Sequence, residues 1–295
     1  MSDIRIGVVG IPGKWSTEVL ADAVEQKTGY RLVIDMAGAS LDLGSKRLLY
    51  NGVDLCRLDG LLVKKISAEY SPDTLDRLEM LRVAEAAGVR VFSPATSMLR
   101  LIDRLACTVT LVNGDIPMPA TCITQDIDAA LAAIAEFDEV VLKPLYSTKA
   151  RGMRVIDSGM DEQTAREVLE SFRNDNPVMY IQQKLALPGR DLGMVFLGGN
   201  YLGSYARVGH GEAWNTTIHS GGRYEGASPS QQIIDMATRA QALFDLDFTT
   251  VDVAESEQGP VVFEVSAFGG FRGASEGIGL DAAESYVAYA LETLS

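Results

Sequence analysis

The sequence predicts an α/β protein whose first domain is built on a small parallel sheet, and three observations carry that prediction. Apolar runs of strand length alternate with helix-patterned segments through the first 93 residues. Gly114, Pro117 and Pro119 then break the pattern, and beyond them short strands crowd together around fewer helices. The chain's 295 residues suit roughly two domains at about 100–200 residues each, ample for a buried core without disulfides.

In chain order, residues 5–9 form a strand, 16–27 a helix and 31–34 a second strand. Asn51-Gly52 marks a hairpin turn. A strand at 60–64 precedes a helix over 72–87 with Pro72 near its start and Gly88 just past its end. A strand at 89–92 closes the series, and one helix is expected over 96–112. The second part alternates strands at 140–143, 153–156 and 178–182 with helices over 126–137 and 161–173. It continues with a hairpin of 192–197 and 201–207 around Gly198-Gly199-Asn200, a helix over 231–244, and a final strand pair at 248–254 and 260–265. A glycine-rich loop and a last helix over 280–294 complete the chain. The expected domains are 1–95 and 96–295, the latter divided into a smaller lid part at about 115–185 and a C-terminal part at about 186–295.

Composition narrows the function. With 26 Lys+Arg against 40 Asp+Glu the net charge is −14, and the scattered cations form no basic stripe. Neither nucleic acid nor an anionic membrane is the expected partner. Cys56, Cys107 and Cys122 have no C-x-x-C spacing and the start carries no apolar leader, so a cytoplasmic, reduced protein is expected. With only His210 and His219 besides, any metal would be hard and oxygen-bound.

Four segments could carry chemistry. Gly10 to Thr17 glances at a phosphate loop, but only Ile11-Pro12 separates its glycines and Trp15 follows Lys14. It reads as a strand-to-helix turn capped by Ser16 or Thr17, or as a substrate-contact loop. Period two puts Thr250 with Asp252, and Val262 with Glu264 and Ser266, on single faces of the final strand pair. Two carboxylates facing one way suit Mg²⁺ ligands, unless that face is simply solvated. Lys143 ends an apolar strand before the small polar run Ser147, Thr148, Lys149, Ala150, Arg151, Gly152, either an ordinary loop or a lid over a triphosphate. Gln182, Gln183 and Leu185 end another strand and could offer edge hydrogen bonds to a purine, with Asp191 available to a ribose hydroxyl.

The order of these segments resembles the ATP-grasp fold, and within it the RimK-like amino-acid and peptide ligases. Asp103-Arg104, Asn113 to Thr121, Lys143-Pro144 with its loop, Gln182 to Leu185, Gly189 to Asp191, Ile218 to Gly222, Asp252, and Glu264 to Gly273 carry the resemblance. It runs from about Leu58 to the C-terminus, with residues 1–57 similar to a pre-ATP-grasp domain. The resemblance implies an ATP-dependent carboxylate–amine ligase working through an acyl phosphate and releasing ADP and phosphate. Lys143 and Arg104 would hold phosphates, Ser147, Thr148 and Gly152 would form the lid, and Gln182, Gln183 and Leu185 would face the adenine. Asp191 would bind the ribose, Arg207 would sit near the γ-phosphate, and Asp252, Glu264 and Ser266 would bind Mg²⁺, with Mn²⁺ possible. Arg272 would take the substrate carboxylate. The partners so implied are a small-molecule or peptide carboxylate and an amino acid or amine, with a homo-oligomer possible. Departures from the family pattern stand at Arg104 (usually Lys), Gly193 (usually Arg), Asn215-Thr216-Thr217 (usually Arg-x-Asn) and Ser266 (usually Asn). They leave two alternatives: a kinase that transfers phosphate to a final acceptor, and a weakened nucleotide-binding regulatory protein.

Overall fold

The structure, a computed structural model, describes residues 4–148, 150–157, 159–209, 216 and 221–295. The first unit runs β1 (Ile6–Val9), α1 (Trp15–Thr28), β2 (Val33–Ile34), β3 (Ser40–Asp42), β4 (Arg47–Tyr50), β5 (Val53–Asp54), β6 (Gly60–Val63), α2 (Pro72–Ala86) and β7 (Arg90–Phe92). Its parallel sheet has the order β2-β1-β6-β7. Strands β1 and β6 are buried along their whole length, which is why they read as continuous apolar runs. Asn51 and Gly52 take φ of 48° and 80° and join β4 to β5, as the hairpin turn requires.

The expected helix over 96–112 is two helices, α3 (Ala95–Ile102) and α4 (Arg104–Asn113). Asp103 takes an extended conformation between them and accepts a hydrogen bond from Leu105 N, so a capping residue starts a new helix where apolar periodicity suggested continuity. Neither Ser16 nor Thr17 caps α1: the cap position is Lys14, and Thr17 Oγ1 instead accepts from Ile11 N at 3.2 Å.

Next come β8 (Thr121–Thr124), α5 (Ile127–Phe137), β9 (Glu139–Lys143), β10 (Arg154–Asp157), α6 (Glu162–Asp175) and β11 (Met179–Gln183), an antiparallel sheet of order β10-β9-β11-β8. The last unit is β12 (Arg190–Leu197), β13 (Asn200–Val208), β14 (Arg223–Ala227), α7 (Gln231–Ala242), β15 (Phe248–Ser256) and β16 (Gly259–Ser266), ordered β14-β13-β12-β15-β16, followed by α8 (Phe271–Ile278) and α9 (Ala282–Leu294). Residues 271–278, expected as loop, are helical. Phe271 and Ala274 bury against the sheet, and that packing outweighs the poor helix propensity of Gly273 and Gly277.

Among the described residues three cores hold the fold. One joins α2, α3 and α4 to one face of the five-stranded sheet and α7; a second joins α1, α8 and α9 across the other face of the parallel sheet. The third lies wholly within residues 127–181, where α5 and α6 cover the β8–β11 sheet.

Candidate active site

The antiparallel and five-stranded sheets face each other across a cleft of about 400 Å³. Register builds one wall. Tyr205, Gly193, Asp252 and Glu264 are consecutive partners across β13, β12, β15 and β16, and Arg207 lies opposite Asp191 in a neighbouring row. Direct pairing of Asp252 with Glu264 brings both carboxylates of the final hairpin to the cleft side by side, as expected for Thr250 with Asp252 and for Glu264 with Ser266. Strict alternation fails at 262: a bulge at Phe263 pairs Val262 with Val253 in the core, on the face away from Glu264.

These acids have basic partners that are remote in sequence. Arg207 reaches Asp252 Oδ2 at 2.9 Å and pairs with Asp191, which also accepts from Thr216 Oγ1. Arg104, at the first position of α4, reaches Glu264 Oε2 at 3.3 Å and donates to Pro144 O and Ser147 Oγ. Burial raises the Asp252 carboxyl above its usual range; the neighbouring Asp191 and Glu264 charges add to this, and Arg207 opposes it. Burial also works against the Arg207 cation, but Asp252 and Asp191 outweigh it and hold its pKa well above the ordinary value. An acidic row that attracts protons and guanidinium groups is one that a hard cation would satisfy. Among the described residues no three His, Cys, Asp or Glu side chains converge as a complete metal cage. The fit is to an ion that takes one or two protein carboxylates and completes its shell from water and phosphate oxygens.

The opposite wall ends β9 and β11. Lys143 Nζ donates to Gln182 Oε1 at 2.5 Å and lies 5.3 Å from the Phe263 ring centroid. Burial pulls its pKa down to about 7, with Arg104 adding to the shift and Glu264 opposing it. Val141, Met153, Leu185, Leu187 and Phe263 make this end apolar, a slot suited to a planar base.

Of the residues expected at the site, Arg104, Lys143, Thr148, Gln182, Gln183, Leu185, Asp191, Arg207, Asp252, Glu264 and Ser266 line this cleft. Ser147 touches Arg104 just outside it, and Gly152 sits at φ 70° in the loop between β9 and β10. Arg272 is not among the lining residues. It is the second residue of α8, more than half exposed, 3.8 Å from Glu276 and 5.2 Å over the Trp15 ring. Lys149, His210, Asn215, Thr217 and His219 lie outside the described residues. Tyr70 and Tyr224 also line the cleft and carried no signal in the sequence, while Lys184 and Thr216 line it from within stretches compared with the family pattern, although no role was expected of either. Gly193 has a local reason for being glycine: a Cβ there would lie 2.4 Å from the Tyr205 ring, which occupies the space a larger side chain would need.

The RimK-like ATP-grasp domain model matches residues 102–290, and the chain belongs to that family. It is 24% identical over 266 residues to a tetrahydromethanopterin:alpha-L-glutamate ligase of Methanosarcina acetivorans, spanning 85% of this chain and 82% of that one. It is 25% identical to a probable alpha-L-glutamate ligase of Trichodesmium erythraeum, over 92% and 90% of the two chains. Among solved structures, the ATP-grasp ligase PsnB complexed with a minimal precursor superposes with a TM-score of 0.77 at 18% identity, covering 99% of this chain and all of that one. A RimK domain ATP-grasp protein from Sphaerobacter thermophilus gives 0.73 at 22%, covering 97% and 99%. The reaction class is ATP-dependent ligation that forms an amide bond.

Proposed function

We propose that the chain joins a carboxylate to an amine through an acyl phosphate, and that the observation carrying this is the paired Asp252 and Glu264 opposite Lys143 across the cleft. Mg²⁺, when bound, would neutralise phosphate charge, held by Asp252 and Glu264 with Ser266 beside them. Lys143 and Arg104 would hold phosphate oxygens, Gln183 and Leu185 would border the base, and Ser147, Thr148 and Gly152 would close over the phosphates. Arg207, anchored by Asp191, would face the transferring phosphoryl group. Both Asp191 oxygens are engaged by Arg207 and Thr216, so a ribose contact is not assigned to Asp191. The segment at about 115–185 would be the moving lid subdomain, since it has its own core.

In this reading the acid's carboxylate attacks the γ-phosphorus of ATP, ADP leaves, and the amine displaces phosphate from the acyl carbon. No protein nucleophile is needed; the side chains position the reactants and neutralise charge. The substrate class is an acid at a peptide or small-molecule terminus with an amino acid as the amine, glutamate first among those to test because relatives are named alpha-L-glutamate ligases. Three unpaired thiols agree with a reducing, cytoplasmic setting.

Hydroxylamine tests this without knowledge of the amine, because it converts an acyl phosphate to a hydroxamate. Acid-dependent hydroxamate and ADP in equal amounts are expected, and Glu264→Gln should lower both by ~100-fold or more. ADP with a stable phosphorylated product instead would mean a kinase. Nucleotide binding with no ADP release over a broad acid panel would mean a regulatory protein.

A further inference from the structure

Gln182, the penultimate residue of β11, is among the residues expected to read the purine, yet its amide is committed elsewhere. Its Oε1 accepts from Lys143 Nζ, while Nε2 donates to Thr121 Oγ1 at 3.0 Å and to Tyr180 Oη at 3.1 Å. The two hydroxyls that receive those N–H groups have already spent their own protons. Thr121 donates to Pro119 O at 2.8 Å. Thr108 donates to Arg104 O at 3.0 Å, so the 2.9 Å contact between Thr108 and Tyr180 has Tyr180 as donor. A one-way chain results, from Lys143 through Gln182, Tyr180 and Thr108 to a main-chain carbonyl of α4. Turning the amide over would set its carbonyl against two hydroxyl oxygens with no proton to give and its NH₂ against an ammonium. In a side chain only 1% exposed, that arrangement is strongly disfavoured.

Lys143 gains a defined aim from this. Among the described residues no carboxylate lies within ion-pair distance of its ammonium, whose one hydrogen bond goes to the Gln182 carbonyl. A neutral acceptor orients the cation without cancelling its charge, and the remaining N–H donors are left for an anion in the cleft that Lys143 lines.

We propose that Gln182 is a positioning residue that aims Lys143 at the phosphate chain, its amide locked in one orientation by Thr121 and Tyr180, and that it does not read the base. This rests on the nucleotide reading given above.

Calorimetric titration with two probes, Mg·ADP and adenosine, separates the roles. Gln182→Met should weaken Mg·ADP by about tenfold and leave adenosine within about twofold, because only the phosphate contact loses its aim. Tyr180→Phe, which cannot touch the nucleotide, should move Mg·ADP in the same direction by a smaller factor. In a Lys143→Ala background the Gln182 change should add less than about twofold. Equal loss for both probes would make Gln182 a base reader and overturn the proposal, as would unchanged Mg·ADP binding in a folded Gln182→Met. If wild type bound neither probe, or Lys143→Ala bound Mg·ADP normally, the nucleotide or phosphate reading itself would fall.

Discussion

Lys64 shows how a single charge can tie the two ends of the molecule together. Directly after β6, its ammonium donates to Phe268 O at 2.7 Å and Gly269 O at 3.0 Å and lies 4.4 Å from the Phe271 ring centroid. It thereby holds the turn between β16, which carries Glu264 and Ser266, and α8. Burial lowers its pKa to about 7 and the Lys65 charge adds to the shift. Since the unfolded chain keeps the proton up to an ordinary value near 10.5, it binds more protons than the native state between those limits. Stability from this group should therefore rise with pH from 7 upward, by at most about 1.4 kcal/mol per pH unit. Lys143 contributes with the same sign, so urea denaturation of wild type and Lys64→Met should be compared across about pH 7 to 9. Wild type should gain on the variant as pH rises; a constant difference would mean that Lys64 does not titrate there. At this scale the sequence disclosed residue types but few partners. Asp252, Glu264 and Lys143 stood out because a charge in an apolar strand calls for a partner, whereas Arg104–Glu264 spans 160 positions and Arg207–Asp252 joins strands that are not sequence neighbours. The aim of the Gln182 amide depends on three hydroxyl-bearing residues from α4, β8 and β11, which no local pattern connects.

In the proposed reading, the loop between β9 and β10 closes over the cleft. Its tip is held by Arg151, which pairs with Glu69 and donates to Thr148 Oγ1 at 3.1 Å. Both partners of the pair are well exposed, and such contacts contribute at most about 1 kcal/mol. At its base, Arg104 N donates to Leu145 O at 3.2 Å and the guanidinium to Pro144 O at 3.3 Å, so that end is anchored to α4. Backbone amides at 150–153 should therefore exchange quickly without nucleotide and slow markedly with Mg·ADP, while the β9 amides stay protected in both states. Hydrogen exchange read by mass spectrometry checks this, and slow exchange of 150–153 in the free protein would contradict a mobile lid. Elements were largely legible in the sequence because burial patterns write themselves into strands such as β1, β6 and β15. Failures fell where a tertiary contact overrode a local rule. Asp103 divided an unbroken apolar period, and α8 formed across glycines whose missing side chains make room for the Tyr205 ring, where a Cβ at Gly273 would lie 2.3 Å from it.

Across the whole molecule, the distribution of cores decides what can move. The parallel sheet and the five-stranded sheet share buried clusters and are further joined by Arg90 to Asp247 Oδ1 at 2.7 Å and by Tyr289 to the same oxygen at 2.8 Å. Residues 127–181 keep a core of their own, centred on Leu169 and Phe172 of α6 and Leu142 and Ile181 of the sheet beneath it. A cleft formed between an anchored sheet and a separately cored one can close by rotation of the latter without breaking either interior. Phe172 is 1% exposed, and Phe172→Ala should remove about 3–5 kcal/mol from that core alone. In calorimetry the variant should then show a new low-temperature transition for the smaller unit, with the main transition within about 2 °C of wild type. Because Lys143 and Gln183 end strands of the unit that melts, Mg·ADP binding should disappear at the first transition. Saturating Mg·ADP should in turn raise that transition while barely moving the second, by about 2.7 kcal/mol at a hundredfold excess over Kd. A single transition shifted as a whole would show that the three cores unfold as one, and closure would then have to come from the 144–152 loop instead of from a moving subdomain.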